Sequence, residues 1–93
     1  MTNETYTRHI NNIVHRLVLS VTHMADLKPA LAFESAAPFG AVPAVGSHIN
    51  LGDFSEFADG GHVRAVVRSV AHSYYPDGAK LVHQTMVHAD REG

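Results

Sequence analysis

Ninety-three residues make room for one small domain, and a chain of that size buries only about 60 to 65 % of its unfolded surface, so its core is thin. Seven Lys and Arg against nine Asp and Glu leave a formal charge of -2, which speaks against binding a phosphate backbone by charge and so against a direct nucleic-acid partner. With no cysteine, neither disulfides nor a thiolate zinc site can supplement the core, and a reducing, cytoplasmic setting is expected.

Residues 1–12 are polar, with Tyr6 and Ile10 as the only apolar anchors, and read as a loose arm on a single domain spanning 1–93. They lack the basic, apolar, small-residue order of a signal peptide. No apolar run approaches the roughly 18 residues that span a bilayer, so a soluble, unprocessed protein with no membrane partner is expected.

From Ile13 onward two templates fit. Alternation sets His15, Leu17, Leu19, Val21 and His23 on one face, whereas Ile10, Ile13, Val14, Leu17, Val21 and Ala25 make a helical stripe. Ile13, Val14, Val18, Val21 and Thr22 are β-branched and no good cap precedes them, which favours a strand over 13–23. After a turn at 26–29, residues 30–33 form a short apolar edge strand.

Pro38, Gly40, Pro43 and Gly46 make 34–46 a connector that cannot supply a ladder. Its Phe39, Val42 and Val45 are apolar enough to lie across the sheet it connects. Residues 47–51 alternate as a short strand. Asp53 then stands in N-cap position before Phe54, Glu56, Phe57 and Asp59, which would suit one helical turn ahead of Gly60 and Gly61.

The longest signal is 62–88, two strands folded back through Pro76, Asp77 and Gly78. A type I turn on Pro76 and Asp77 with Gly78 left-handed gives a three-residue loop, setting Tyr75 opposite Ala79, Ala71 opposite His83, Val67 opposite Val87 and Val70 opposite Gln84. In that register neither face is cleanly apolar, so a bulge is expected near 65–67. All four prolines fall outside the strands so assigned, and residues 90–93 should fray. The fold class is therefore all-β: a small twisted antiparallel sheet or partly closed barrel of four to five strands with a long C-terminal hairpin.

Eight histidines, at 9, 15, 23, 48, 62, 72, 83 and 88, are the unusual feature. Imidazole titrates near pH 6.5, so complete protonation would carry the formal charge from -2 to about +6, and acidification from about pH 7.5 to 5.5 should alter solubility or association. A histidine-based metal site is the alternative worth weighing, with His72 and His83 the best pair. The hairpin register above puts them on opposite faces, and no HExxH or His-x-x-x-His spacing is present, so no metal ligand and no cofactor is assigned.

No GxSxG elbow and no phosphate-cradling glycine pattern occurs, and Asp53, Glu56 and Asp59 read as caps or a solvated face, so no catalytic residue is assigned and the protein is read as a non-enzyme. Asp53, Phe54, Glu56, Phe57 and Asp59, with Tyr74, Tyr75 and Asp77 at the hairpin turn, make an acidic, aromatic edge suited to a protein partner. An exposed strand edge also offers a route to a homo-oligomer.

The segment from Pro43 to Leu51 followed by Val63 to Tyr74 resembles short bacterial and phage all-β proteins, in which a Pro-x-x-Gly-x-x-Ile-x-Leu strand leads to a Val-x-x-Val-x-His hairpin. Proteins of this style on phage and mobile elements include anti-CRISPR inhibitors. What the resemblance implies is an inhibitor acting by surface binding; it assigns no residue a role.

Overall fold

The computed structural model describes residues 4–22, 30–54 and 62–92. Five strands, β1 (Asn12–Thr22), β2 (Leu31–Ser35), β3 (His48–Leu51), β4 (Val63–Asp77) and β5 (Lys80–Arg91), form one open sheet in the order β2-β1-β5-β4-β3. The all-β class and the long hairpin stand. The sheet is mixed rather than wholly antiparallel, because β1 runs parallel to β5 from Asn12 beside Lys80 to Thr22 beside Asp90. It does not close: among the described residues β2 and β3 are its two edge strands. The β-branched run of 13–22 forms a central strand, as its stiff side chains favour. His23 and the turn at 26–29 lie outside the described residues, as do Glu56, Phe57 and Asp59 of the expected helical turn.

The hairpin register differs from the expected one by three residues: Tyr75 faces Val82, and Asp77 faces Lys80 across a two-residue loop of Gly78 and Ala79. Gly78 has φ 61 while Ala79 stays out of the left-handed region, the type II′ pattern with glycine in its first central position. Hydrophobic pairing explains the choice. This register sets Val70 opposite Val87 and Val67 opposite Ala89, producing the clean apolar face that the three-residue loop denies. Pro76 therefore sits inside β4, opposite Leu81. It is tolerated because β3 reaches only as far as Val66, so among the described residues no strand lies on the outer side of Pro76 to need an N–H donor.

The bulge falls between Val67 and Ser69, slightly later than expected, with Arg68 as the extra residue. β5 also runs on through Arg91, and the Glu92 N–H donates to Arg64 O at 2.9 Å, so 90–92 are paired rather than frayed. At this end Glu92 accepts from Arg64 Nε and lies 2.9 Å from His48 Nδ1, tying β3 and β4 to the end of β5.

Alternation then divides one face of the sheet in two. Leu19, Val21, Leu31, Leu51, Val63, Ala65, Val67, Val87 and Ala89 form the buried core, with Leu17, Phe33, Val42, Ile49, Phe54 and Val70 packed around it. The connector closes over it: Val42 packs inward, and Gly46, at φ 88, completes a turn in which Ser47 N–H donates to Ala44 O. Gly46 and Ser47 also bond to the Val67 backbone, which anchors the connector to β4. The same face continues along β1, β5 and β4 past the core and becomes polar. The molecule is accordingly long, 54 × 28 × 23 Å.

Candidate functional site

Three pairing rules assemble a cluster beyond the core. The in-register parallel pair brings His15 beside His83. The hairpin sets Tyr74 opposite His83 and His72 opposite Thr85, two residues further along, so all five side chains share a face. His15 Nδ1 lies 3.1 Å from His83 Nδ1, and His72 Nδ1 lies 3.0 Å from His83 Nε2 and 3.2 Å from Thr85 Oγ1. The Tyr74 ring stacks on His83 with centroids 4.7 Å apart and planes within 7°, and the His72 ring lies at 5.2 Å and 21°. His15 meets His83 edge-on, at 5.3 Å and 85°.

His83 is the hub. Withdrawal from water, then the neighbouring His72 and His15, holds its pKa below the usual histidine range, since each disfavours a charged ring there. His83 offers Nδ1 to His15 and Nε2 to His72, nitrogens that point away from each other and that one ion cannot take together. Among the described residues no group of three or more such side chains is arranged to hold a metal ion.

The surroundings are open. A shallow cleft of about 760 Å³ runs beside His15 between the start of β1 and the end of β2, lined also by Ile13, Glu34, Ser35, Pro38 and Lys80. The arm crosses the hairpin end, where Asn11 N–H donates to Ala79 O, and Ile10 lines a smaller hollow with Pro76 and Leu81. Tyr74 is 66 % exposed, Ile13 46 %, Ile10 44 % and Tyr75 37 %. These four are most of the large exposed apolar side chains of the described residues, and all lie at this end.

The residues expected to form one acidic, aromatic edge are not brought together. Asp53 and Phe54 follow β3, whose Leu51 pairs with Val63 at the start of β4, whereas Tyr74, Tyr75 and Asp77 lie at its far end. Eleven residues of strand separate Val63 from Tyr74, about 36 Å at 3.3 Å per residue. Phe54 packs against the core, 6.0 Å from the Phe33 ring centroid, while Asp53 is exposed at φ 62. Tyr74 and Tyr75 point to opposite faces, Tyr75 toward Gln84.

His15, His72 and His83 as a group were not legible from spacing alone. The signal that could have found them is the demand that Val67 and Val70 pair with apolar residues of β5, which moves His72 onto the face of His83. No helix of the described residues is long and apolar enough to cross a membrane. Comparison with protein-family models, curated proteins and solved structures finds no match.

Proposed function

We propose that the protein is a non-enzymatic protein-binding module that docks its partner on the projecting tip formed by the start of β1, the end of β4 and the start of β5. The observation that carries this reading is the concentration of Ile10, Ile13, Tyr74 and Tyr75 at the end of a sheet whose main buried cluster lies toward the other end. Exposed apolar and aromatic side chains that the fold does not use are the usual mark of an interaction surface, and Tyr adds contact area with few rotatable bonds. An inhibitor of the phage or mobile-element type is the finer form of the proposal, supported by the resemblance of the 43–51 and 63–74 segments.

Photo-crosslinking of the tagged chain in a lysate of its source cell, with Tyr74→Ser/Tyr75→Ser and Asp53→Asn variants in parallel, tests the reading. A discrete protein adduct is expected from wild type and Asp53→Asn, reduced at least tenfold in the tyrosine pair. An adduct indifferent to the tyrosines, or one lost only with Asp53→Asn, overturns it.

A second reading follows from β2 and β3 being the edge strands of the sheet among the described residues, since an edge strand is where another strand can add. Self-association through an edge would appear as a sedimentation coefficient that rises with concentration, and a constant monomer value refutes it.

A further inference from the structure

The tip holds three imidazoles in a chain, His15–His83–His72, joined by two N···N contacts of 3.1 and 3.0 Å. Each such contact is a hydrogen bond only if one proton lies between its two nitrogens. With all rings neutral, both contacts can be satisfied: His72 Nδ1–H donates to His83 Nε2, and His83 Nδ1–H donates to His15 Nδ1. The reverse direction works equally well, but only the first lets Thr85 Oγ1 accept a share of the His72 Nδ1–H.

One additional proton is also accommodated. Placed on the outer nitrogen of His72, or making His83 a donor at both ends, it leaves one proton in each contact. A second additional proton has no such place. With two rings doubly protonated, one contact must set N–H against N–H, whichever ring stays neutral. Charge adds to this geometric limit, because two imidazolium rings within about 5 Å repel each other.

No other described charge relieves that conflict. On the same face His15 is flanked by Ile13 and Leu17 from its own strand and by Ser35 from β2; His83 by Leu81 and Thr85; His72 by Val70 and by Tyr74, the one further titratable side chain next to these rings in the described ladders, Arg91 lying at the far end of β5 opposite Ala65. Glu34 and Lys80 line the cleft beside His15 from alternate positions, and Glu34 pairs with Arg16 at 3.7 Å. His9 and Arg8 line the neighbouring hollow beyond Leu81. Among the described residues the ion pairs formed by carboxylates go to Arg16, Arg64, Arg68 and His48, and none to these three rings.

We infer that His15, His72 and His83 form a proton-limited latch between β1 and the β4–β5 hairpin, closed while the chain carries at most one extra proton and opened by the second. Closed, it keeps the Tyr74 face of the tip ordered and close to neutral; opened by mild acid, it frees the rings from one another and makes that face cationic. This holds for the isolated chain whatever docks on it.

Histidine Cε1–H signals followed by two-dimensional NMR from pH 8 to 5 test the latch in the full chain. The three rings should respond together to a first protonation, with the next step displaced by about one pH unit or more, as strongly interacting sites require. Nuclear Overhauser contacts between His83 and one of its two partners, His15 or His72, should disappear with that second step. In His83→Asn, checked for an unchanged amide spectrum, the coupled two-step response should be lost. The wild-type titration decides the matter even if the variant fails to fold. Three independent one-proton curves within about half a pH unit of each other, or ring contacts that survive full protonation, overturn the inference.

Discussion

Val87 and Ile13 lie on the same face of adjacent strands, yet only Val87 is inside the core, and the comparison tests whether stability is confined to one end of the sheet. Val87 is 0 % exposed and faces Leu19 on β1 and Val70 on β4. Val87→Ala removes two buried carbons, about 1.6 kcal/mol of transfer free energy at about 0.8 per methylene, and a site closed on all sides adds a cavity cost, giving about 2–3 kcal/mol in all. Ile13 is 46 % exposed beside Leu81, so Ile13→Ala loses only part of its burial and leaves no closed cavity; about 0.5–1 kcal/mol is expected. A domain of this length has roughly 5–14 kcal/mol in total, so the first loss is readily seen. Urea unfolding followed by circular dichroism should give a clearly lower midpoint for Val87→Ala at an unchanged slope, and nearly the wild-type midpoint for Ile13→Ala. Equal losses in the two variants, or a Val87→Ala cost below about 0.5 kcal/mol, would refute the placement of the core.

Gly78→Ala meets no atom within 4 Å of the added Cβ, so its cost is conformational only. The left-handed φ of 61 should make that cost about 1–2 kcal/mol in the same unfolding assay, and a neutral result would argue against the positive φ at Gly78. Stability should also fall in mild acid. Because His83 is held below its ordinary range in the folded chain, the unfolded chain binds the extra proton more readily; stability is fully present above about pH 6.5 and is lost as pH falls from there toward the folded value. Urea midpoints from pH 8 to 5 should decline over that window, less so in His83→Asn. An unchanged midpoint would contradict the sign.

Much of the fold was legible because local preferences and pairing agree. The β-branched 13–22 run, the Pro and Gly connector and the strong turn at 76–78 each point to the element that forms. The parallel pairing of β1 with β5 was not legible, since alternation reports which residues share a face but not which strand lies alongside or in which direction. The hairpin register turns on Pro76, which lies in the ladder opposite Leu81 and not in the loop. Proline suits the first central position of a turn, and it is acceptable inside this ladder because no third strand of the described residues lies beside the end of β4. A local rule was thus overruled by a non-local fact.

That one register decides the functional reading. In the expected pairing His72 and His83 fall on opposite faces and the histidines are scattered surface residues. Moving β5 by three positions relative to β4, an odd number, exchanges the face that His83 shares with β4 and delivers His72 and Tyr74 to it. The parallel partner then supplies His15 from a strand that precedes His83 by 68 residues. The same shift that pairs Val70 with Val87 therefore also builds the cluster, so the apolar core and the imidazole chain are two consequences of one pairing. A change that slips the hairpin should disable both together, whereas His83→Asn should disable the cluster and leave the core intact.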